Sequence, residues 1–238
     1  MQYDYRLTHT RPGKGIKYHD KFRNNAHRAM VWALERQFLD DIVQKAFPCG
    51  KISHFDFACG TGRILKHLQK HTDLSVGVDL SEDMLGVAVK EIPQAELILA
   101  DITRNDVLGD RKFDLITAFR FFPNAQPELR MEAMRVLVKH MRETGCIIFN
   151  NHLNSSSLLR RIHGISGQPM SQAEVKKLAV SNGLKIVKVY HVGVFPANES
   201  NTYLPGRVLL AVERIASRFQ ILRMYAQNLI YVCMHADE

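Results

Sequence analysis

The chain is 238 residues long, 46% hydrophobic and 24% charged, with a net charge of +8. That composition supplies a sizeable core for one domain with additions and excludes a disordered polypeptide. The four cysteines, Cys49, Cys59, Cys146 and Cys233, are scattered with no CxxC pair, which argues against a zinc knuckle or redox motif and for a reducing compartment.

The amino terminus lacks the apolar core of a signal peptide, and no run approaches the ~20 apolar residues of a membrane span, so a cytoplasmic location is expected. The basic balance suits a partner with phosphate or carboxylate, or an anionic membrane surface, and serves solubility equally well.

Residues 1–25 are polar and basic but hold Tyr3, Tyr5, Tyr18 and Phe22, which fits either a solvated arm or a lid over a site. Apolar residues at Met30, Leu34, Phe38 and Ile42 predict a helix from Ala26 to about Phe47, ended by Pro48 and Gly50. Trp32 falls off that stripe and is expected to face a neighbouring loop or the site. Residues 1–47 are thus read as an arm and helix capping a domain over 48–238.

His54-Phe55-Asp56-Phe57 is a short strand-like run, Ala58-Cys59-Gly60-Thr61-Gly62 a turn of small residues, and Ile64, Leu65 and Leu68 the buried face of a helix. Leu74 to Asp79 is a second strand, and Ser81 caps the next helix, whose Glu82 and Asp83 suit its positive end. Further strands are expected at Leu97–Asp101, Phe113–Phe119, Cys146–Asn150, Leu184–Val192 and Leu229–Met234. Helices are expected over Glu128–His140, over Ser171–Asn182 behind a Ser171/Glu174 capping box, and over Arg207–Arg223. Residues 151–167 and 193–206 read as loops, and 193–226 as a cap or interface insertion. Alternating strands and helices with short connections predict an α/β fold, a doubly wound parallel sheet.

In such sheets the ligand sits at the carboxyl ends of the strands. A dinucleotide site wants GxGxxG, but the register here gives Ala58, Gly60 and Arg63, and no Gly-Lys-Ser/Thr ending of a phosphate loop is present. The acids say more. Asp79 lies nineteen residues after Gly60, where a carboxylate can accept from both ribose hydroxyls. Asp101 ends the third strand, within reach of an adenine amino group, and Asp56 adds negative charge beside the turn. Three carboxylates repel a pyrophosphate and suit an adenosyl ligand with positive charge.

The series Asp56-Phe57-Ala58-Cys59-Gly60-Thr61-Gly62, Val78-Asp79-Leu80-Ser81, Ala100-Asp101-Ile102 and Phe113-Asp114-Leu115-Ile116 resembles the class I S-adenosylmethionine-dependent methyltransferases. The resemblance covers about residues 50–190 and the final strand. It implies a seven-stranded sheet, mostly parallel, with helices on both faces and an antiparallel last strand inserted beside the sixth. Ala58 stands where the family usually has its first glycine. By position the family's roles imply Gly60 and Gly62 along the methionine part of S-adenosylmethionine and Asp79 on the ribose, with Asp56, Ala58 and Arg63 also binding the cofactor. Leu80 and Met84 would pack on adenine, Asp101 and Ile102 meet its edge, and Phe119 lie near the reacting centre. Tyr18 resembles the tyrosine that closes over the methionine end. The product would be S-adenosylhomocysteine, and no metal is expected.

The family places acceptor groups after the fourth and fifth strands, which implies Arg120, Phe122, Asn124, Asn151 and His152 here. His152 is the candidate general base, because histidine titrates near neutrality; holding its loop by hydrogen bonds is the alternative. Phe122-Pro123-Asn124 lacks the Asn/Asp-Pro-Pro-aromatic of nucleic-acid amino-methylating enzymes, so a nucleic-acid substrate is disfavoured. The favoured expectation is O-methylation of a hydroxyl on a small-molecule, glycan or lipid-linked acceptor. Alternatives are a C- or N-methyltransferase of the ubiquinone-biosynthesis type, or a non-catalytic S-adenosylmethionine-binding regulator or partner subunit. The apolar stripe of 207–223 reads as a cleft cover, a homodimer contact or a peripheral membrane contact.

Overall fold

The computed structural model describes residues 5–9, 25–48, 50–163 and 169–237. Seven strands form one sheet: β1 (Ile52–Phe57), β2 (Thr72–Asp79), β3 (Glu96–Leu99), β4 (Phe113–Ala118), β5 (Met141–Asn151), β6 (Leu184–Val192) and β7 (Asn228–His235). Their order is β3-β2-β1-β4-β5-β7-β6. The first five pair in parallel, and β7 runs antiparallel between β5 and β6, as the resemblance implied. All six residues of β1 are buried, as expected for a central strand covered on both faces.

Among the described residues the helices are α1 (Tyr5–His9), α2 (Ala26–Ala46), α3 (Arg63–Leu68), α4 (Glu82–Glu91), α5 (Pro127–Lys139), α6 (Leu158–His163), α7 (Gln172–Val180) and α8 (Gly206–Ala216). On one face Leu39 and Ile42 of α2 and Ile64 and Leu68 of α3 pack on Leu115, Ile148 and Ile230. On the other, Leu129 and Leu137 of α5 and Val175 of α7 pack on Phe55, Ile116, Phe149 and Tyr231. Strand alternation sends Leu115 and Ile116 to opposite layers. Ser81 caps α4 by accepting from the Met84 N–H at 3.4 Å, and Ser171 and Glu174 form the anticipated capping box.

Local details depart from the sequence reading. The loop expected over 151–167 contains α6. The helix expected over Arg207–Arg223 ends at Ala216, where Ser217 Oγ donates back to the Arg214 carbonyl at 2.9 Å and Phe219 is extended; a 3-10 turn over Gln220–Tyr225 follows. The stripe through Val208, Val212, Ile215 and Phe219 faces solvent instead of a cleft. The inward side of α8 is Leu209, Glu213 and Ala216, with Leu209 packed on Met30, Val31 and Leu34 of α2. Glu213 decides this orientation: its buried carboxylate accepts from the N–H groups of Gly193, Val194 and Phe195 at 2.7 to 3.2 Å. Among the described residues no helix is long and apolar enough to cross a membrane.

Candidate active site

The turn after β1 is tightly specified. Ala58, Gly60 and Gly62 all have positive φ, at 53°, 57° and 76°. The left-handed conformation costs a residue with a Cβ about 1–2 kcal/mol, and Ala58 bears that cost where the family has glycine. The two glycines serve different ends. A Cβ on Gly60 would meet no atom within 4 Å, so its face is open to a ligand. A Cβ on Gly62 would come within 2.5 Å of Ile92 Cδ1 and 3.3 Å of Ala88, so Gly62 lets α3 seat against α4.

Gly60 opens onto a cavity of about 470 Å³ at the carboxyl ends of β1, β2, β4 and β5. Of the anticipated residues, Asp56, Ala58, Gly60, Arg63, Asp79, Leu80 and Met84 line it, as do Asp101, Ile102, Phe119, Arg120, Asn124 and His152. Three do not. Gly62 faces α4, Phe122 is fully buried in the aromatic layer against Phe121 and Phe149, and Asn151 is fully buried with its amide donating to the Met170 carbonyl at 2.8 Å. Tyr18 lies outside the described residues.

The three aspartates are not equivalent. Asp79 has both oxygens engaged by backbone, accepting from Gly60 N–H at 2.8 Å and Ser81 N–H at 2.9 Å, which fixes the carboxylate at the cavity wall with lone pairs to spare. Burial raises its pKa, and those N–H groups counteract. Asp56 is buried and accepts from Thr117 Oγ1 at 2.6 Å; burial pushes its pKa up to about 7, so it carries only part of a charge at neutrality. The Thr117 hydroxyl is committed to Asp56, so its oxygen accepts from His54 Nε2 at 2.8 Å, which sets the Nε2–H tautomer. Asp101 accepts from Arg6 Nε at 2.6 Å and from Thr103 Oγ1 at 2.5 Å; burial alone would raise its pKa, but these partners hold it below the usual carboxylate range. The expected triad of negative charge is therefore uneven: Asp56 is near neutral, and the charge of Asp101 is paired with Arg6.

On the other side of the turn the field is positive. Burial, together with the charges of Arg120, Arg160, Arg28 and Arg63, drives the pKa of His152 well below the usual histidine value, so its ring is neutral. Its Nδ1 is buried with no hydrogen-bond partner among the described residues. A buried network organises the arginines. Glu35 of α2 accepts from Arg63 at 3.0 Å and from the amides of Asn150 and Asn228, each at 3.2 Å. Asn150 Oδ1 in turn accepts from the Arg120 N–H at 2.6 Å. Trp32 packs under this corner, with the Arg63 guanidinium 4.5 Å from its ring centroid.

Sequence reasoning missed Arg28, Ser81 and Thr103 in the wall and gave Tyr5 and Arg6 no role beyond the arm. Tyr5 sits edge-on to Phe121, with ring centroids 5.1 Å apart, and Arg6 also bonds Thr103 at 2.7 Å and Glu132 at 2.9 Å. Nothing in a basic, aromatic arm announces those partners, which lie about a hundred residues away.

The donor set fits an adenosyl sulfonium ligand: an open glycine face, a fixed carboxylate at the end of β2, and apolar Leu80, Met84 and Ile102 beside it. Among the described residues no group of His, Cys, Asp or Glu is placed to hold a metal ion. Residues 55–145 match the model of a family described as a methyltransferase domain. The dTDP-3-amino-3,4,6-trideoxy-alpha-D-glucopyranose N,N-dimethyltransferase of Streptomyces venezuelae is 38% identical over 91 residues, 38% of this chain and 37% of that protein. The dTDP-4-amino-2,3,4,6-tetradeoxy-D-glucose N,N-dimethyltransferase of Saccharopolyspora spinosa is 28% identical over 124 residues, 51% of this chain and 48% of that protein. The chain thus spans less than half the length of these two curated relatives. The structure of magnesium protoporphyrin IX methyltransferase from Synechocystis PCC 6803 with bound SAM shares the fold, with a TM-score of 0.64 at 15% identity, covering 99% of each chain.

Proposed function

We propose that this class I S-adenosylmethionine-dependent methyltransferase transfers a methyl group to an amine nitrogen of a small, sugar-like acceptor. Asp79 holds the ribose, Leu80 and Met84 pack on adenine, and Ile102 meets its edge. Gly60 gives the methionine part its close approach, and Arg63 faces its carboxylate. Tyr5 and Arg6 belong to a lid, closing the adenine end through Asp101. When bound, the cofactor supplies a methyl group already activated on a sulfonium. The remaining work is to align the acceptor and exclude water, a positioning effect worth up to about 7–11 kcal/mol.

The observation that carries the choice of nitrogen is the state of His152. Burial, together with the charges of Arg120, Arg160, Arg28 and Arg63, keeps this imidazole neutral, and the same surroundings act in the same direction on an acceptor amine, favouring its nucleophilic, unprotonated form. A neutral His152 can then take the proton that the methylated nitrogen sheds. A hydroxyl needs proton removal during attack, and an imidazole of lowered pKa is a weak base for that. The N,N-dimethyltransferases among the relatives act, by their names, on amino sugars, which agrees with this reading.

The test is incubation with methyl-labelled cofactor and matched pairs of amino-sugar and hydroxy-sugar acceptors, followed by mass spectrometry. Label is expected on the amino members. Label on hydroxyl oxygen alone would replace this reading with O-methylation. Tight cofactor binding without transfer to either member, or to any component of a matched extract, would point to a non-catalytic binding protein.

A further inference from the structure

Several arginines from distant parts of the chain act together on His152. Arg28 comes from the first turn of α2, Arg120 from the residues after β4, and Arg160 from α6. Arg28 and Arg120 line the cavity beside His152, and Arg160 Nη2 donates to the His152 carbonyl at 2.7 Å. The Arg160 Nε is buried with no partner among the described residues, as is His152 Nδ1. The same three arginines lower the pKa of His27, to about 4 behind its burial, so two histidines on different elements locate one common centre of positive charge.

The backbone holds this centre at some cost. Arg120 has φ of 62°, a left-handed conformation that a long side chain rarely adopts. It is kept there by Asn150, which accepts from its N–H, and by Asn124 Nδ2, which donates to its carbonyl at 2.5 Å. Strain fixed from both sides is found where a side chain must point at a ligand.

The sheet order separates this corner from the cofactor's carboxylate. Ribose and adenine groups belong to the ends of β2 and β3, and the glycine turn follows β1. Arg63 stands beside that turn and is held by Glu35 at 3.0 Å. Arg120 and His152 follow β4 and β5, one and two strands further from that turn at about 4.8 Å per strand.

We propose that Arg28, Arg120 and Arg160 form a subsite for a phosphoryl group of the acceptor, placed so that the acceptor's nucleophile meets the methyl beside His152. The inference rests on the methyltransferase reading. Guanidinium groups pair their N–H donors with phosphate oxygens, and three converging cations match a group carrying more than one negative charge. Arg28 already shares its charge with Glu199, at 2.8 Å, and that carboxylate lies toward solvent, where a bound anion can replace it.

The test titrates inorganic pyrophosphate, and separately acetate, into the full chain saturated with S-adenosylhomocysteine, by calorimetry at two ionic strengths. Pyrophosphate is expected to bind one to one, to weaken with salt, and to bind at least tenfold more tightly than acetate. Arg120→Gln and Arg160→Gln should each weaken pyrophosphate at least tenfold and change S-adenosylhomocysteine affinity less than threefold. Arg135→Gln, on the exposed side of α5, should behave as the wild type. Absence of pyrophosphate binding, or no effect of either variant, would overturn the subsite. Equal weakening of S-adenosylhomocysteine would assign the arginines to the cofactor's carboxylate instead, and acetate binding as tightly as pyrophosphate would make the group a carboxylate. Failure of S-adenosylhomocysteine to bind the wild type would remove the methyltransferase reading itself.

Discussion

Replacing Gly60 by alanine separates a ligand-facing glycine from a structural one. At φ of 57° the new Cβ incurs the left-handed penalty of about 1–2 kcal/mol, offset by roughly 0.5 kcal/mol because alanine stiffens the unfolded chain. The net loss of about 1 kcal/mol lowers the melting temperature by roughly 2–4 °C in a chain of this size. Nothing in the protein lies within 4 Å of that Cβ, so the fold has no further objection. The cofactor does: a methyl group in its contact surface costs about 1–3 kcal/mol, or roughly tenfold to a hundredfold in affinity. Gly62→Ala makes the contrast, since its Cβ meets Ile92 at 2.5 Å and the penalty falls on stability. Thermal melts with and without S-adenosylhomocysteine read both quantities. At a ligand concentration of about 100 Kd the wild type gains roughly 2.7 kcal/mol, and Gly60→Ala should keep half of that or less at the same concentration. Gly62→Ala should melt far lower but retain most of the ligand-induced gain. Unchanged binding by Gly60→Ala, or a larger affinity loss in Gly62→Ala, would refute this division of roles.

Asp56 and the buried histidines set opposing pH dependences. With its folded pKa raised to about 7, Asp56 favours the native state most at low pH, and that contribution fades as pH rises from about 4 to 7. Asp56→Asn keeps the Thr117 hydrogen bond and should remove a decline of about 2–4 kcal/mol, read from urea melts at pH 5 and 8. His54 and His27, lowered to about 3 and 4, and His152, also lowered, act the other way, because the unfolded chain takes up protons below pH 6.5 that the native state refuses. Each ring that stays neutral in the native state should lower stability by up to about 1.4 kcal/mol per pH unit as pH falls below about 6.5, against the opposite trend from Asp56. A flat profile there would contradict their burial as neutral rings. Arg6→Ala frees Asp101 and Glu132 and should cost about 1–2 kcal/mol and raise the S-adenosylhomocysteine dissociation constant severalfold; an unchanged constant would remove α1 from the cofactor lid. His152→Ala should lower turnover about tenfold to a hundredfold while leaving cofactor affinity within twofold, and full turnover would end its role as proton acceptor.

The elements were legible in the sequence because their signals are local. An apolar run closing on an acid, a turn of small residues and a cap such as Ser81 or Ser171 each act within a few residues, and their order suffices for the doubly wound sheet. The same short-range logic located Gly60 and Asp79, since the end of a parallel strand is a ligand position wherever the strand lies. What the side chains do there was settled at long range. Asp56 reads as a charge until Thr117 and the core close over it and leave it near neutral. Phe122 and Asn151 read as substrate groups until the aromatic layer and the Met170 carbonyl claim them. The stripe on α8 reads as a cleft cover, a dimer contact or a membrane contact until Glu213 satisfies three loop N–H groups and turns that stripe away from the cleft. Arg28, Arg120 and Arg160 carry no shared motif; α2, the end of β4 and α6 each bring one of them within electrostatic reach of His27 and His152. Periodicity and turn chemistry belong to neighbouring residues and survive in a linear reading, whereas burial and the sum of charges at a point exist only once distant segments are packed together.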